Sequence, residues 1–366
     1  MRPELLEKAL SDPEKVVVAQ MAPAVRVSLG ELFGHPAGEI MTKRIVGALR
    51  KLGFKYVFDT SFGADVAVVE ESVEMKERLK AGKLLPMLNS CCPGTVFFLE
   101  HAYPDLISHL GTAKSPMEIV GVLIKTYFAE KKKINPKNIV SVAVMPCMVK
   151  KAEALRPELR LEGKLMVDGV LTTVELAEFM KKKGLDLDSC PEAEFDSLMG
   201  TASGGGQIFG SSGGVSEAAL RNFAFLEGKS IEKIESKSGA FRGIEGVREA
   251  VFEIGGKEFR IAIVNSLRNA GQILNDPKKF ESYHFIEIMA CQGGCVGGAG
   301  QPTSTKENLE ARRKGLYSID AKMKMKAASQ NPEVKKLYDE FLGEPGGNKA
   351  IRLIHTSYLK ICTDCY

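Results

Sequence analysis

The chain has 366 residues, 44% hydrophobic and 26% charged, with a formal net charge of +4. That balance excludes a disordered chain, and basic residues scattered along helix-like stretches exclude a nucleic-acid-binding stripe. No uncharged apolar run approaches the roughly 20 residues that span a bilayer, and the polar opening MRPELLEKALSDPEK carries no secretory signal, so no membrane association is expected.

In chain order, the apolar runs VVVAQMA (16–22), KYVFDT (55–60), LPMLNS (85–90), IVSVAVMP (139–146) and HFIEIMA (284–290) read as strands. Residues 39–53, 66–82 and 115–133 carry helical spacing between them. This alternation predicts an α/β fold of mostly parallel twisted sheets flanked by helices. VREAVFEIGGKEFRIAIVNS (247–266) reads as a β hairpin around Gly255-Gly256. From about 303 the chain is polar and helical and is expected to wrap the outside. With no repeat or linker, residues 1–366 are expected to form one domain: a first lobe over about 15–135, a second over about 136–302, and a helical segment over 303–366.

The cysteines organise these elements. A cytoplasmic location is expected, where thiols stay reduced and grouped cysteines more often bind metal than pair as disulfides. Three predicted strands end at cysteine: LPMLNS runs into Cys91-Cys92, AVMP into Cys147, and FIEIMA into Cys291, with Cys295 following. Ligands of open α/β sheets bind beyond the carboxyl ends of strands, so three strands deliver thiols to one crevice. The loop ACQGGCVGGAGQPT is rich in glycine, which admits close approach of backbone to a bulky inorganic group. A helical turn there puts Cys291 and Cys295 on one face. One of Cys91 and Cys92, together with Cys147, Cys291 and Cys295, makes the four thiolates of a [4Fe–4S] cluster. Structural zinc favours short CxxC knuckles instead. Adjacent side chains of an extended segment diverge, so only one of the Cys91-Cys92 pair turns toward the cluster, and the residues alone leave open which. Five thiols acting only as small hydrophobes would not explain three strand ends. Cys190 reads as a surface or half-buried thiol without a role. Cys362 and Cys365 form a CxxC in ICTDCY, either a chance pair, a reversible disulfide, or half of a metal site completed by a second copy of the chain or a partner.

NSCCPGT (89–95), MPCMVKKAE (145–153) and EIMACQGGCVGGAGQP (287–302) closely resemble the three signature motifs of the [FeFe]-hydrogenases, in order and in spacing. AQMAPAVR (19–26), FDTSFGADVAVVEE (58–71), AKSPMEIVGVLIKTY (113–127) and IFGSSGGVSEAALR (208–221) extend the similarity over nearly the whole chain. The resemblance implies two α/β lobes with the H-cluster in the cleft between them. That cofactor is a [4Fe–4S] cluster joined through a cysteine sulfur to a diiron subcluster carrying CO, cyanide and azadithiolate. By resemblance, Cys92, Cys147 and Cys291 hold the cubane, Cys295 bridges it to the diiron unit, and Cys91 exchanges protons. Lys150 then meets an iron-bound cyanide, a partner for a cation that burial would otherwise penalise. Ala22, Pro23, Ala24, Pro116, Met145, Phe209 and Met289 match residues lining the diiron pocket. Glu71, Glu74 and Arg78 share one face of the predicted helix 66–82, and the resemblance makes them a proton relay to solvent. The implied activity is interconversion of H2 with protons and electrons. The implied partners are an external ferredoxin-like electron carrier and enzymes that mature the diiron unit, and Cys362 and Cys365 suggest a homodimer.

The pattern departs from the family in places. A serine is usual between the two relay glutamates; the matching position is Gly111, with a water or the neighbouring Thr112 expected to fill the gap. Asn89 and Thr95 replace the usual threonine and aromatic of the first motif, Met117 stands where some relatives carry a polar residue, and Ala299 interrupts the glycine run. No CxxC-rich ferredoxin-like segment precedes the catalytic region, so a minimal form is expected. The rival readings are an iron–sulfur protein like the eukaryotic assembly factors and an H2 sensor; the joint presence of Cys91, Lys150, Glu71 and Glu74 argues against the first.

Overall fold

The structure is a computed structural model and describes residues 1–235, 238–254 and 257–358. Two four-stranded sheets carry the fold. In the first, β1 (Val16–Met21) lies between β2 (Tyr56–Asp59) and β4 (Ile139–Met145), and β5 (Gly169–Thr172) flanks β4; all four run parallel. Helices cover both faces of a parallel sheet, which is why β1 and β4 read as continuous apolar runs. The second sheet orders β3 (Met87–Leu88), β8 (Phe285–Met289), β7 (Lys257–Asn265) and β6 (Val247–Ile254). β3, β8 and β7 are parallel, and β6 returns antiparallel to β7 as the expected hairpin. The turn at Gly255-Gly256 lies outside the described residues.

The sheets cut across the expected lobe boundary near residue 135. β4 and β5 complete the sheet begun by β1 and β2, whereas β3 pairs with β8 through Met87↔Phe285 and Leu88↔Ile286. Parallel pairing joins strands distant in sequence, so the two lobes interleave instead of following one another. β3 is also shorter than the predicted strand 85–90. Pro86 has no amide to give to a ladder, and past Leu88 the Asn89 side chain takes over the pairing, accepting from the Ile288 amide at 2.7 Å.

The helix Thr60–Ala81 begins six residues before the predicted 66–82 because Asp59, the last residue of β2, caps it through the Ser61 amide. It is buried over most of its length, so of its charged row Glu71 and Arg78 are buried and Glu74 is half-buried. The segment 115–133 is helical as predicted but changes pitch: Pro116–Leu123 is α-helical, Ile124–Phe128 is a π turn, and Ala129–Lys132 resumes the α form. The strand Gly169–Thr172 is an addition, hidden in sequence by its length.

The C-terminal segment does more than wrap the outside. Arg312, on the helix Lys306–Lys322, is completely buried. Its guanidinium donates to both Glu31 carboxylate oxygens (2.6 and 2.7 Å) and to the carbonyls of Val296 (2.9 Å) and Pro302 (3.2 Å). From the same helix, Asp320 meets the buried Arg221, which also pairs with Glu217. Cys190 is buried, not half-exposed, and its thiol donates to the Asp186 carbonyl. Cys362 and Cys365 lie outside the described residues. Among the described residues, no helix is long and apolar enough to cross a membrane.

Candidate active site

The carboxyl ends of strands from both sheets open onto one cavity with about 900 Å³ of empty space, counting its mouth. β1 contributes Ala22, Pro23 and Ala24; β3 leads to Cys91 and Cys92; β4 ends in Met145 and Cys147; β8 ends in Met289 and Cys291. Cys295, Lys150, Pro116, Met117 and Phe209 complete the wall, so every pocket and thiol position expected from sequence meets here. Thr60 and Ala64, from the first turns of the helix Thr60–Ala81, also border the cavity and were not anticipated.

Glycine is required where the cysteine loop presses on its surroundings. A Cβ on Gly298 would sit 2.4 Å from the Pro146 carbonyl oxygen, and Gly294 has φ +82° with the Ser212 amide nitrogen 2.6 Å from where its Cβ would be. These contacts hold the loop of Cys295 against the backbone that precedes Cys147. Asn89 and Thr95, unusual residues in their motif, both grip β8: Thr95 Oγ1 donates to the Ile288 carbonyl at 2.8 Å, and Asn89 Nδ2 donates to the same carbonyl (3.3 Å) and to Cys91 Sγ (3.5 Å).

The donor chemistry suits a cluster. Among the described residues, no three His, Cys, Asp or Glu side chains are placed to hold a single metal ion, so the thiols ring a space instead of converging on a point. Burial, then repulsion from neighbouring thiols, raises Cys295, and pushes Cys291 up to about 11. Burial also raises Cys147, while the amides of Val149 and Lys150 act in the opposite sense as donors to its sulfur. Such thiols hold their protons until a cationic cluster displaces them. Lys150 is 8% exposed, forms an ion pair with Glu153 at 2.7 Å and donates to the Cys91 carbonyl at 3.1 Å. Burial opposes its charge, but Glu153 outweighs burial and holds its pKa above the ordinary value. A retained cation beside an apolar cavity fits an anionic group within it.

A row of titratable groups leaves the cavity at Cys91. Burial and the nearby Glu71 push the Cys91 thiol up. Glu71 is buried, its Oε2 has no hydrogen-bond partner, and burial followed by the neighbouring Glu74 pushes its carboxyl up to about 8. Glu74 Oε2 accepts from the Thr112 amide and hydroxyl, each at 2.9 Å, and its Oε1 pairs with Arg78 at 2.5 Å. Arg78 also donates to the carbonyls of Leu84, His109 and Leu110, which fixes its guanidinium. Thr112 thus serves Glu74 and does not fill the gap at Glu71. A Cβ at Gly111 would stand 3.8 Å from Glu71 Oε1 and 3.7 Å from Ser90 Oγ, at ordinary contact distance. The row ends at a surface depression bordered by Glu74, Glu77, Thr112 and His355. His355 and Glu70 were not anticipated: no spacing rule ties a histidine in the tail to a helix so far back in the chain.

Residues 15–299 match the family described as iron only hydrogenase large subunit, C-terminal domain, and residues 306–360 match iron hydrogenase small subunit. The chain is 42% identical over 362 residues to the NADP-reducing hydrogenase subunit HndD of Solidesulfovibrio fructosivorans, covering 96% of this chain and 62% of that protein. It is 40% identical over 363 residues to iron hydrogenase 1 of Clostridium pasteurianum, covering 97% of this chain and 63% of that one. The chain therefore spans less than two thirds of the length of these relatives. A solved structure of apo [FeFe]-hydrogenase from Chlamydomonas reinhardtii superposes with a TM-score of 0.83 at 36% identity, covering 98% of both chains.

Proposed function

The chain belongs to the [FeFe]-hydrogenase family, and from that premise we propose that it interconverts H2 with two protons and two electrons in the cysteine-lined cavity. Members of the family carry the H-cluster, which when bound supplies the redox-active irons at which H2 is made or split. The observation that carries the proposal is the convergence of five thiols, Lys150 and an apolar wall on one cavity from which a buried carboxylate row leads outward.

In this reading Cys92, Cys147, Cys291 and Cys295 would supply the thiolates that hold the cluster, with Cys295 shared with the diiron unit. The amides that donate to the Cys147 and Cys291 sulfurs stabilise their thiolates. Lys150, on the cavity wall, would offer its charge to the anionic ligands of the diiron unit. Ala22, Pro23, Ala24, Pro116, Met145, Phe209 and Met289 exclude water, which strengthens every charge interaction inside. Cys91 holds the proton nearest the reaction, and its sulfur accepts from Asn89 Nδ2. Glu71 takes that proton next; a carboxyl poised near pH 8 both accepts and releases at working pH. Glu74, fixed by Arg78 and Thr112, delivers it to the depression.

Electrons pass to an external carrier. Met148, beside Cys147 and 58% exposed, offers an apolar contact for a ferredoxin-like partner. The diiron unit depends on maturation enzymes. Six free thiols among the described residues suit a reducing cytoplasm, and Cys362 and Cys365 are candidates for a site shared with a second copy.

The test is reconstitution with iron, sulfide and a synthetic diiron complex, followed by H2 assay. Turnover in the parent and its collapse in Cys91→Ala at unchanged iron content are expected. A fully loaded parent that neither makes nor consumes H2 refutes the reading.

A further inference from the structure

The hydrogen bonds do not stop at Glu74. Its Oε2 accepts from the Thr112 hydroxyl at 2.9 Å, that hydroxyl lies 2.8 Å from His355 Nδ1, and His355 Nε2 lies 2.9 Å from Glu70 Oε2. Glu70 is completely buried and receives the Tyr338 hydroxyl and the Gly346 amide. The three contacts from Glu74 to Glu70 need three protons. The Thr112 hydroxyl supplies one and a neutral imidazole a second, so the line is complete only with one more. That proton has three seats. On His355, the imidazolium donates to Glu70 and to Thr112, which donates to Glu74. On Glu70, the carboxylic acid donates to Nε2 and the Nδ1 proton points to Thr112. On Glu74, the acid donates to Thr112, whose own proton turns to Nδ1. Every contact is satisfied in all three arrangements.

We propose that Glu70, His355 and Thr112 form a proton store that loads and unloads through Glu74, one hydroxyl away from the catalytic proton path. Loading moves a proton from Glu74 Oε2 to Thr112 Oγ1 while the Thr112 proton passes to His355 Nδ1; unloading is the reverse, so no atom or electron is left over. The store lies off the path from Cys91 to the surface and serves the opening turnovers, when a proton already loaded reaches Glu74 before one arrives from solvent. The charged and titratable groups around it are Glu70, Glu74 and Glu77 from the helix Thr60–Ala81, Arg78 paired with Glu74, Tyr338 on Glu70, and Lys114, which donates to the Leu353 carbonyl beside the histidine.

The proposal rests on the hydrogenase reading, and two measurements separate their failures. In the metal-free protein, 15N spectra of His355 across pH should show its titration displaced by Thr112→Val, a change that removes no charge; an undisplaced titration overturns the store, whatever the enzyme does. In the reconstituted enzyme, His355→Gln keeps a polar side chain but cannot hold the extra proton. When a laser flash supplies the electrons, first-turnover proton uptake by this variant should slow by about tenfold at pH 8 in dilute buffer, with the deficit shrinking at pH 6 and with rising buffer concentration. A deficit independent of pH and buffer, as a purely structural histidine would give, overturns the proposal, and so does the absence of a deficit.

Discussion

Replacing Glu71 with glutamine probes the buried row at its most exacting point. The carboxyl is 2% exposed, its Oε2 is unpartnered, and its pKa stands at about 8 against an ordinary 4.5, with burial the largest cause and Glu74 the next. Folding therefore tightens proton binding at this group. The stability it permits is complete below about pH 4.5 and is lost as the pH rises through about 8, above which the loss levels off. About 3.5 pH units separate the two values (8 − 4.5), and at 1.36 kcal/mol each the span is on the order of 5 kcal/mol. Glu71→Gln keeps the shape of the protonated acid and cannot ionise, so it escapes the loss. Urea denaturation of the metal-free parent and variant from pH 5 to 9 gives the comparison. The variant's advantage should be small at pH 5 and grow to several kcal/mol at pH 9. Parallel stability curves would mean that the carboxylate is solvated or paired, and the argument for a proton held in the dry interior would fail.

Gly111→Ser places its Cβ at ordinary contact distance from Leu88 O and puts a hydroxyl within reach of Glu71. Denaturation should show a gain of about 1 kcal/mol, and H2 turnover should rise; a destabilised variant would show the gap to be closed. Cys147→Ser and Cys291→Ser should each lower iron bound after cluster reconstitution while Cys91→Ser retains it, and equal losses in all three would redraw the ligand set. Arg221→Ala removes the buried cation that bridges Asp320 and Glu217 and leaves them only the more exposed Arg242 and Lys326. It should cost about 3–5 kcal/mol by chemical denaturation, and a cost under about 1 kcal/mol would contradict their burial.

Sequence made the thiol cavity legible because three apolar runs each end at cysteine, and strand ends are where such folds bind ligands. It could not reveal that β3 belongs with β8, since register between segments nearly 200 positions apart leaves no local trace. The start of the helix at Thr60 was masked because FDT continues the apolar run of β2 while Asp59 already serves as its cap. Nothing in the local sequence marks Arg221 and Arg312 for burial; only folding supplies the acids and carbonyls that let them be buried. Gly111 was recognised as a gap, but the reach of Thr112 depended on backbone placement, which turned its hydroxyl to Glu74 and His355.

Arg312 sets the order in which the cofactor cradle can be completed. The loop carrying Cys295 rests on this guanidinium through the Val296 and Pro302 carbonyls. During synthesis all the thiols of the cavity emerge before that support exists. The newborn chain must finish its later helix and fold it back beneath the loop, so the cradle is complete only once that helix has docked.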